Sequence, residues 1–117
     1  MKLIIAGSRE FTNYGLLCEF LENANLKDIT HVISGTARGA DELGEKWAED
    51  KGIEVISKPA QWDTYGKSAG HRRNAEMSVI GDILVAFWDG ESRGTAGMIE
   101  CMHKLNKPYY VCRVDML

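Results

Sequence analysis

Five short, largely apolar runs recur along the chain, and they restrict its fold more than any other feature. Runs of this length that lack polar alternation are typical of strands buried on both faces of a parallel sheet. Between them lie segments in which apolar residues recur at helical spacing. This alternation predicts a parallel sheet with helices on both faces. The predicted strands are Lys2–Ala6, Thr30–Ile33, Ile53–Ser57, Asp82–Trp88 and Tyr109–Val114.

Few topologies satisfy this pattern, because crossovers between parallel strands are right-handed. We predict an α/β fold: a Rossmann-like, doubly wound three-layer sandwich whose five-stranded parallel sheet has the order 3-2-1-4-5. Ligands of such sheets bind beyond the carboxyl ends of the strands, at the switch point, which lies here between the first and fourth strands. A chain of 117 residues suffices for one core, so a single domain is expected over 1–117.

The segment between the third and fourth strands carries two more expectations. Lys58–Gly70 is predicted to be the longest loop, and long loops of compact domains are usually functional or mobile. Its Trp62 and Tyr65 suit either stacking on a base or covering the core. A helix is predicted from about Ala69 to Val79, with three apolar positions buried: Ala75, Met77 and Ile80.

Composition argues against several classes of function. The formal charge of -3 disfavours non-specific binding to duplexes, so a nucleic-acid partner is not expected. No apolar run approaches the roughly 20 residues of a membrane span. Three unpatterned cysteines and a short apolar start fit a cytoplasmic protein with reduced thiols. No metal-ligand cluster or Walker-type motif occurs, so neither a metal nor a cofactor is expected.

A glycine-rich turn, Ser34–Asp41, joins the second predicted strand to a helix that is predicted to end at Lys51, before Gly52. Gly35 and Gly39 allow positive φ and a close approach of a ligand to the main chain. The helix N-terminus favours an anion, and Arg38 offers a fork of donors suited to phosphate. These features predict a nucleotide phosphate on this turn. An ordinary strand-to-helix turn that needs only glycine is the alternative.

Polar residues also follow the other strands at the same edge of the sheet. Arg9, directly after the first strand, suits a phosphate or carboxylate, or else a solvated turn. Arg72 and Arg73 lie near a helix N-terminus, where arginine gains nothing from the dipole, so they suggest a ligand; a solvated charged face is the alternative. Ser92–Thr95 repeats the design of the first turn, with small residues, an arginine and a helix start. Two such turns suit a ligand with more than one phosphate or a ribose phosphate.

These motifs together resemble the SLOG superfamily and, within it, the small YspA/YpsA-like group. The resemblance covers nearly the whole chain through five matching pieces: Gly7–Arg9, Ser34–Asp41, Pro59–Trp62, Arg73–Met77 and Phe87–Thr95. It implies a Rossmann-like fold that binds a nucleotide or a nucleotide-derived small molecule at these turns. The family often carries a second glycine where this chain has Thr36, which loses backbone freedom but adds a hydroxyl donor.

The turns and the resemblance together give one set of candidate ligand-binding residues. It comprises Gly7, Ser8, Arg9, Gly35, Thr36, Arg38, Gly39, Asp41, Trp62, Arg72, Arg73, Asn74, Asp89, Gly90, Ser92, Gly94 and Thr95. No catalytic residue can be assigned.

The superfamily also includes LOG-type phosphoribohydrolases, whose site resembles H-x-R-x-A-E-M and G-T-x-x-E. The first motif is intact from His71 to Met77, but Met98 stands where the second requires an acid. Glu100 lies roughly 200° further round the helix and should face elsewhere. Base cleavage needs a carboxylate near the ribose, so LOG-type catalysis is doubtful. DNA-binding members of the DprA type also belong to the superfamily, but the acidic charge gives them no support here.

Two hypotheses remain. In the first, the chain senses or sequesters a nucleotide-derived molecule, which requires only the phosphate-binding turns. In the second, it is a hydrolase or transferase in which Asp41, Asp63 or Asp89 replaces the missing acid. A homo-oligomer is also expected, through helices away from these turns, because the family resemblance implies one and because one sheet is not expected to cover apolar residues such as Trp47 fully.

Overall fold

The computed structural model describes residues 1–116, which form one five-stranded sheet flanked by helices. All strand pairs are parallel, and the order is β3-β2-β1-β4-β5. The predicted Rossmann-like fold and strand order are therefore confirmed. The strands are β1 (Lys2–Gly7), β2 (His31–Ser34), β3 (Glu54–Ser57), β4 (Ile83–Trp88) and β5 (Tyr109–Arg113).

Five α-helices connect or flank the strands within residues 1–116. They are α1 (Tyr14–Ala24), α2 (Ala40–Lys51), α3 (Trp62–Tyr65), α4 (Ala69–Ile80) and α5 (Arg93–Lys104). Short 3-10 turns cover Gly66–Ser68 and Val114–Met116. None of the helices in this part of the chain has the length and apolar character needed to cross a membrane.

The core lies on both faces of the sheet because successive side chains of each strand point in opposite directions. On β1, Leu3 and Ile5 belong to the cluster that packs against α1 and α2. Ile4 and Ala6 belong to the cluster that packs against α4 and α5. The carboxyl ends of β1 and β4 lie side by side, with Gly7 paired to Phe87, so the turns after these strands are brought together.

Two details of the segment after β3 differ from prediction. The predicted loop Lys58–Gly70 contains α3, because Thr64 and Tyr65 donate backbone hydrogen bonds to Gln61 and close one helical turn. On α4, Met77 is buried, but Ala75 and Ile80 are exposed. The reason is that the buried stripe of α4 includes two polar side chains, Asn74 and Ser78, whose hydrogen bonds satisfy them in the interior.

Trp47 is also placed differently from the expectation. It is only 6% exposed, so the single chain covers it, and the predicted homo-oligomer loses that support. The cause is the close approach of α2 to β1: a Cβ atom on Gly44 would lie 2.8 Å from Ile5 Cγ2. Without a side chain at Gly44, the helix lies near enough to the sheet to bury the indole.

Candidate functional site

A central cavity of about 390 Å³ opens between the carboxyl ends of β1 and β4. Eleven of the seventeen candidate residues line it: Gly7, Ser8, Arg9, Gly35, Asp41, Arg73, Asn74, Asp89, Ser92, Gly94 and Thr95. Five lining residues were not among the candidates: Ala6, Glu10, Ala37, Met77 and Met98. The cavity lies at the switch point of the sheet, where ligands of such folds bind.

An outer cavity of about 460 Å³ adjoins the central one on the β2 and β3 side. It holds three more candidates: Thr36, Arg38 and Trp62. Arg9, Gly35, Ala37 and Arg73 line both cavities and form the wall that they share.

The last three candidates, Gly39, Arg72 and Gly90, line neither cavity. Arg72 lies over the ring of Tyr65, 4.4 Å from its centroid, and donates to Ser68. Gly90 has a φ of 83°, and a Cβ atom there would lie 2.3 Å from Arg113 Nη2.

Gly39 has a structural task at the start of α2. Its φ is 76°, and a Cβ atom would lie 2.4 Å from the carbonyl oxygen of Arg9. The missing side chain lets the Ser8–Arg9 turn lie against α2, where the Ala40 amide donates to the Ser8 carbonyl. The glycine therefore allows two turns of the site to pack against each other.

The backbone of the Ser34–Asp41 turn is largely engaged with itself. The Thr36 amide donates to Ser34 Oγ at 3.1 Å, and the Ala37 amide donates to Asp41 Oδ2 at 3.0 Å. Thr36 has a φ of 62°, the left-handed conformation in which the family's glycine would be unstrained. Arg38 points out of the turn and pairs with Glu10 at 2.8 Å. Fewer amides of this turn are available to an anion than its sequence suggests.

Arg73 is the half-buried cation of the site. Its Nη1 donates to the carbonyl of Gly35 at 2.5 Å, and its Nε donates to Asn74 Oδ1 at 2.9 Å. Within residues 1–116, neither its Nη2 nor the side chain of Arg9 makes a hydrogen bond. Burial lowers the pKa of Arg73; Asp41 opposes this, and the nearby positive charge of Arg9 adds to it. Two guanidinium groups with free donors thus lie near each other in the shared wall.

The N-terminus of α5 faces the same cavity. Ser92 is the N-cap, and its hydroxyl accepts from the Thr95 amide. Asn74 Nδ2 donates to the Gly94 carbonyl at 3.1 Å, which fixes the start of α5 against α4. A Cβ atom on Gly94 would meet nothing within 4 Å, so this turn is open to the cavity. The arrangement provides the positive end of a helix dipole beside Arg73.

Asp41 brings a buried carboxyl group into the central cavity. It is only 7% exposed, and burial raises its pKa to about 6, although the Ala37 amide and Arg73 counteract this. Asp89 also lines the cavity, and its Oδ1 accepts from the amides of Glu91 and Ser92. These two hydrogen bonds lower the pKa of Asp89 and favour its ionised form.

The residues of the LOG-type motifs are divided between the cavity and the surface. Met98 is 1% exposed and lines the cavity, at the position where that family has its acid. Glu100 faces away, as predicted, and pairs with Lys104 at 3.0 Å. Exposed Glu76 pairs with Lys58, and Asp63 lines neither cavity. Among the three proposed replacement acids, Asp41 and Asp89 are therefore placed in the cavity.

Sequence reasoning missed Glu10, Ala37 and the apolar floor of the site. Glu10 lines the central cavity and bridges two turns through its ion pair with Arg38. Its position directly after Arg9 was a usable signal. Met77 was predicted to be buried and Met98 to replace an acid, but neither was predicted to line a cavity, because helical spacing does not show which core residues border an opening.

Comparison with known proteins agrees with this architecture. The model of the YspA, cpYpsA-related SLOG family (YAcAr) matches residues 1–65. A curated relative, the Gene 61 protein of Mycobacterium phage D29, is 39% identical over 82 residues, which cover 65% of this chain and 63% of that protein. The alignment therefore spans less than two thirds of the relative's length. No solved structure matches the chain. The chain belongs to the YspA, cpYpsA-related SLOG family.

Proposed function

We propose that the central cavity binds a nucleotide or a nucleotide-derived small molecule, which the protein senses or sequesters. The observation that supports this most directly is the meeting of Arg9, Arg73 and the open N-terminus of α5 at one cavity. Cations with free donors beside a helix N-terminus are suited to a phosphate group. Membership of the SLOG family is compatible with such a ligand.

Within this proposal, the phosphate lies at Ser92–Thr95 rather than deep in the Ser34–Asp41 turn. Gly94 leaves space beside the first amides of α5, and Arg73 Nη2 supplies a charged donor. In the other turn, Thr36, Ala37 and Ala40 already use their amides within the protein. The Ser34–Asp41 turn instead contributes Gly35 and the carboxyl group of Asp41.

The carboxyl groups of Asp41 and Asp89 suit the ribose of the ligand. Both line the central cavity, and carboxylate oxygens accept hydrogen bonds from sugar hydroxyls. Asp89 keeps an ionised acceptor because two backbone amides stabilise its charge. The apolar Met77 and Met98 provide a floor against which a base or sugar face packs.

Titration calorimetry with AMP and ADP tests this assignment. Arg73→Ala should weaken binding by about 1.5–3 kcal/mol, because a hydrogen bond to a charged group is lost. The neighbouring Arg72→Ala is the matched control: it removes the same charge from the same helix, but Arg72 faces Tyr65 and lines neither cavity.

Arg73 also bonds the Gly35 carbonyl, so thermal melting must show that the variant folds. Arg73→Lys serves as a second variant that keeps the charge. Equal affinity of wild type and both Arg73 variants for the same nucleotide would contradict the placement of the phosphate.

A second function, processing of the nucleotide, is favoured by one observation. Asp41 is buried in the cavity with a pKa raised to about 6, which is suited to proton transfer near neutral pH. In this alternative, Asp41 takes the place of the acid that Met98 replaces. Rapid release of free base from a nucleoside monophosphate, lost in Asp41→Asn, would favour the enzyme over the binding module.

A further inference from the structure

The two cavities share one wall, but their other lining residues differ in chemical character. Arg9, Gly35, Ala37 and Arg73 line both, so a ligand that lies against these residues reaches both spaces. The central cavity has two carboxyl groups, Asp41 and Asp89, whereas the residues lining the outer cavity include no acid. Each has a volume in the range that holds one small-molecule ligand.

The outer cavity presents an aromatic side chain, Trp62. Its indole is 53% exposed and lies over Gly70, where a Cβ atom would be 3.3 Å from Cη2. A Cβ atom at this distance would require the ring to shift by a few tenths of an ångström, so the glycine leaves room for the ring where it lies. The nearby Tyr65 has Arg72 over its ring, but within residues 1–116 no cation lies over Trp62.

The rest of the outer cavity suits a flat, uncharged group attached to an anion. Pro59 and Ala60 add apolar surface to that of Trp62, and Arg38 and Arg9 also line the cavity. Exposed indoles bind aromatic rings by stacking, and this interaction tolerates any base because every base has a π face. An anionic group that links a ligand in the central cavity to one in the outer cavity passes Arg9 and Arg73, which line both.

We propose that the ligand is a nucleotide whose phosphate carries a second aromatic group, as in a dinucleoside diphosphate. One nucleoside and its phosphate occupy the central cavity, and the second phosphate crosses the shared wall between Arg9 and Arg73. The second ring stacks on Trp62 in the outer cavity. This proposal rests on the proposed function, since it extends the ligand of the same site.

ADP and di(adenosine-5′) diphosphate form a matched pair of probes. Both carry adenosine and two phosphates, but only the second has another nucleoside, and it bears less negative charge. Tighter binding of the dinucleotide therefore cannot result from charge. We expect wild-type protein to bind it at least about tenfold more tightly than ADP, as one stacked base provides.

Trp62→Ala should weaken binding of the dinucleotide about tenfold more than binding of ADP and so remove the preference, whereas Trp62→Phe should retain most of it. Tyr65→Ala is the control, because Tyr65 is an exposed aromatic of the same short helix that lines neither cavity. All these side chains are on the surface, and melting temperatures will verify folding.

The outcomes separate the two proposals. Equal affinity of wild-type protein for both probes, or an equal loss for both in Trp62→Ala, would overturn the two-part ligand while nucleotide binding stands. If neither probe binds, the proposed function itself fails and this inference fails with it.

Discussion

The two glycine- and arginine-containing turns, Ser34–Asp41 after β2 and Asp89–Thr95 after β4, have similar sequences but different structures. In the first, the amides bond within the protein and a buried carboxyl group enters the cavity. In the second, the amides of Glu91, Ser92 and Thr95 also bond within the protein, but a helix N-terminus with an unobstructed Gly94 faces the cavity. A shared pattern of small residues before a helix thus identifies two walls of one site without assigning the same task to each.

The carboxyl groups of the two turns also differ, because their pKa values shift in opposite directions. Burial raises the pKa of Asp41 to about 6, whereas hydrogen bonds from two amides lower that of Asp89. One turn therefore holds a carboxyl group whose ionisation opposes folding, and the other holds one whose ionisation favours it. The arginines of the turns themselves, Arg38 and Arg93, do not line the central cavity; its cations come from elsewhere in the chain.

The largest difference in stability between the turns should appear when a glycine of each is replaced by alanine. Gly39→Ala places a Cβ atom 2.4 Å from a backbone oxygen at a φ of 76°, so we expect it to lower the free energy of unfolding by about 3–5 kcal/mol. Gly94→Ala meets no atom and should change stability by less than about 1 kcal/mol. Urea unfolding followed by circular dichroism measures both. Similar losses would show that the turns are equally packed.

Asp41→Asn should have the next largest effect, and it depends on pH. The pKa of Asp41 is about 6 in the folded protein, compared with an ordinary value of 3.8. The protonated side chain therefore contributes fully to the free energy of unfolding below about pH 4, and this contribution is lost as the pH rises through about 6. The difference corresponds to roughly 3 kcal/mol. The variant lacks this loss and should be more stable than wild type at pH 8. Unfolding at pH 4, 6 and 8 tests it; a constant difference between the two proteins would contradict it.

Met98→Glu would give α5, the helix that follows the second turn, a buried acid comparable to Asp41 of the first. We expect the substitution to destabilise the protein by about 1–3 kcal/mol, because Met98 is 1% exposed.

Wild-type protein should release no free base from nucleoside monophosphates at an enzymatic rate, since the thioether of Met98 neither stabilises positive charge nor activates water. Chromatography of the reaction products measures release. Rapid release by wild type, abolished in Arg73→Ala, would show that another carboxylate acts.

The smallest expected effect concerns Thr36, the strained residue of the first turn. Thr36→Gly should raise the free energy of unfolding by about 1 kcal/mol, because its left-handed backbone conformation strains a β-branched residue but not glycine. Differential scanning calorimetry detects this as a higher melting temperature. Thr12→Gly, in the exposed segment after β1, is a control that should give no such gain.

The fold was predictable because the alternation of apolar runs and segments with helical spacing recurs along the whole chain. Five apolar runs and the handedness of crossovers restricted the sheet order to a few forms, and the predicted 3-2-1-4-5 order is the one observed. The short helix α3 was missed because Trp62–Tyr65 has no apolar stripe, and the buried face of α4 was misassigned because polar Asn74 occupies it. For the site, the sequence located the turns but not the direction of each side chain. Arg72 and Arg73 are adjacent in sequence, yet about 100° apart on a helix, so only one reaches the cavity.

The hydrogen bonds that restrain Arg73 have an entropic consequence. Contacts with the Gly35 carbonyl, the Lys58 carbonyl and Asn74 already fix the rotamers of this long side chain. An anion that binds Nη2 therefore finds a preorganised donor, and little rotational freedom remains to be lost. Arg9 has no such restraint within residues 1–116, and ordering it costs up to about 2 kcal/mol. Two identical charges in one wall should thus contribute unequally, with the restrained guanidinium setting the position of the anion and the mobile one adapting to it.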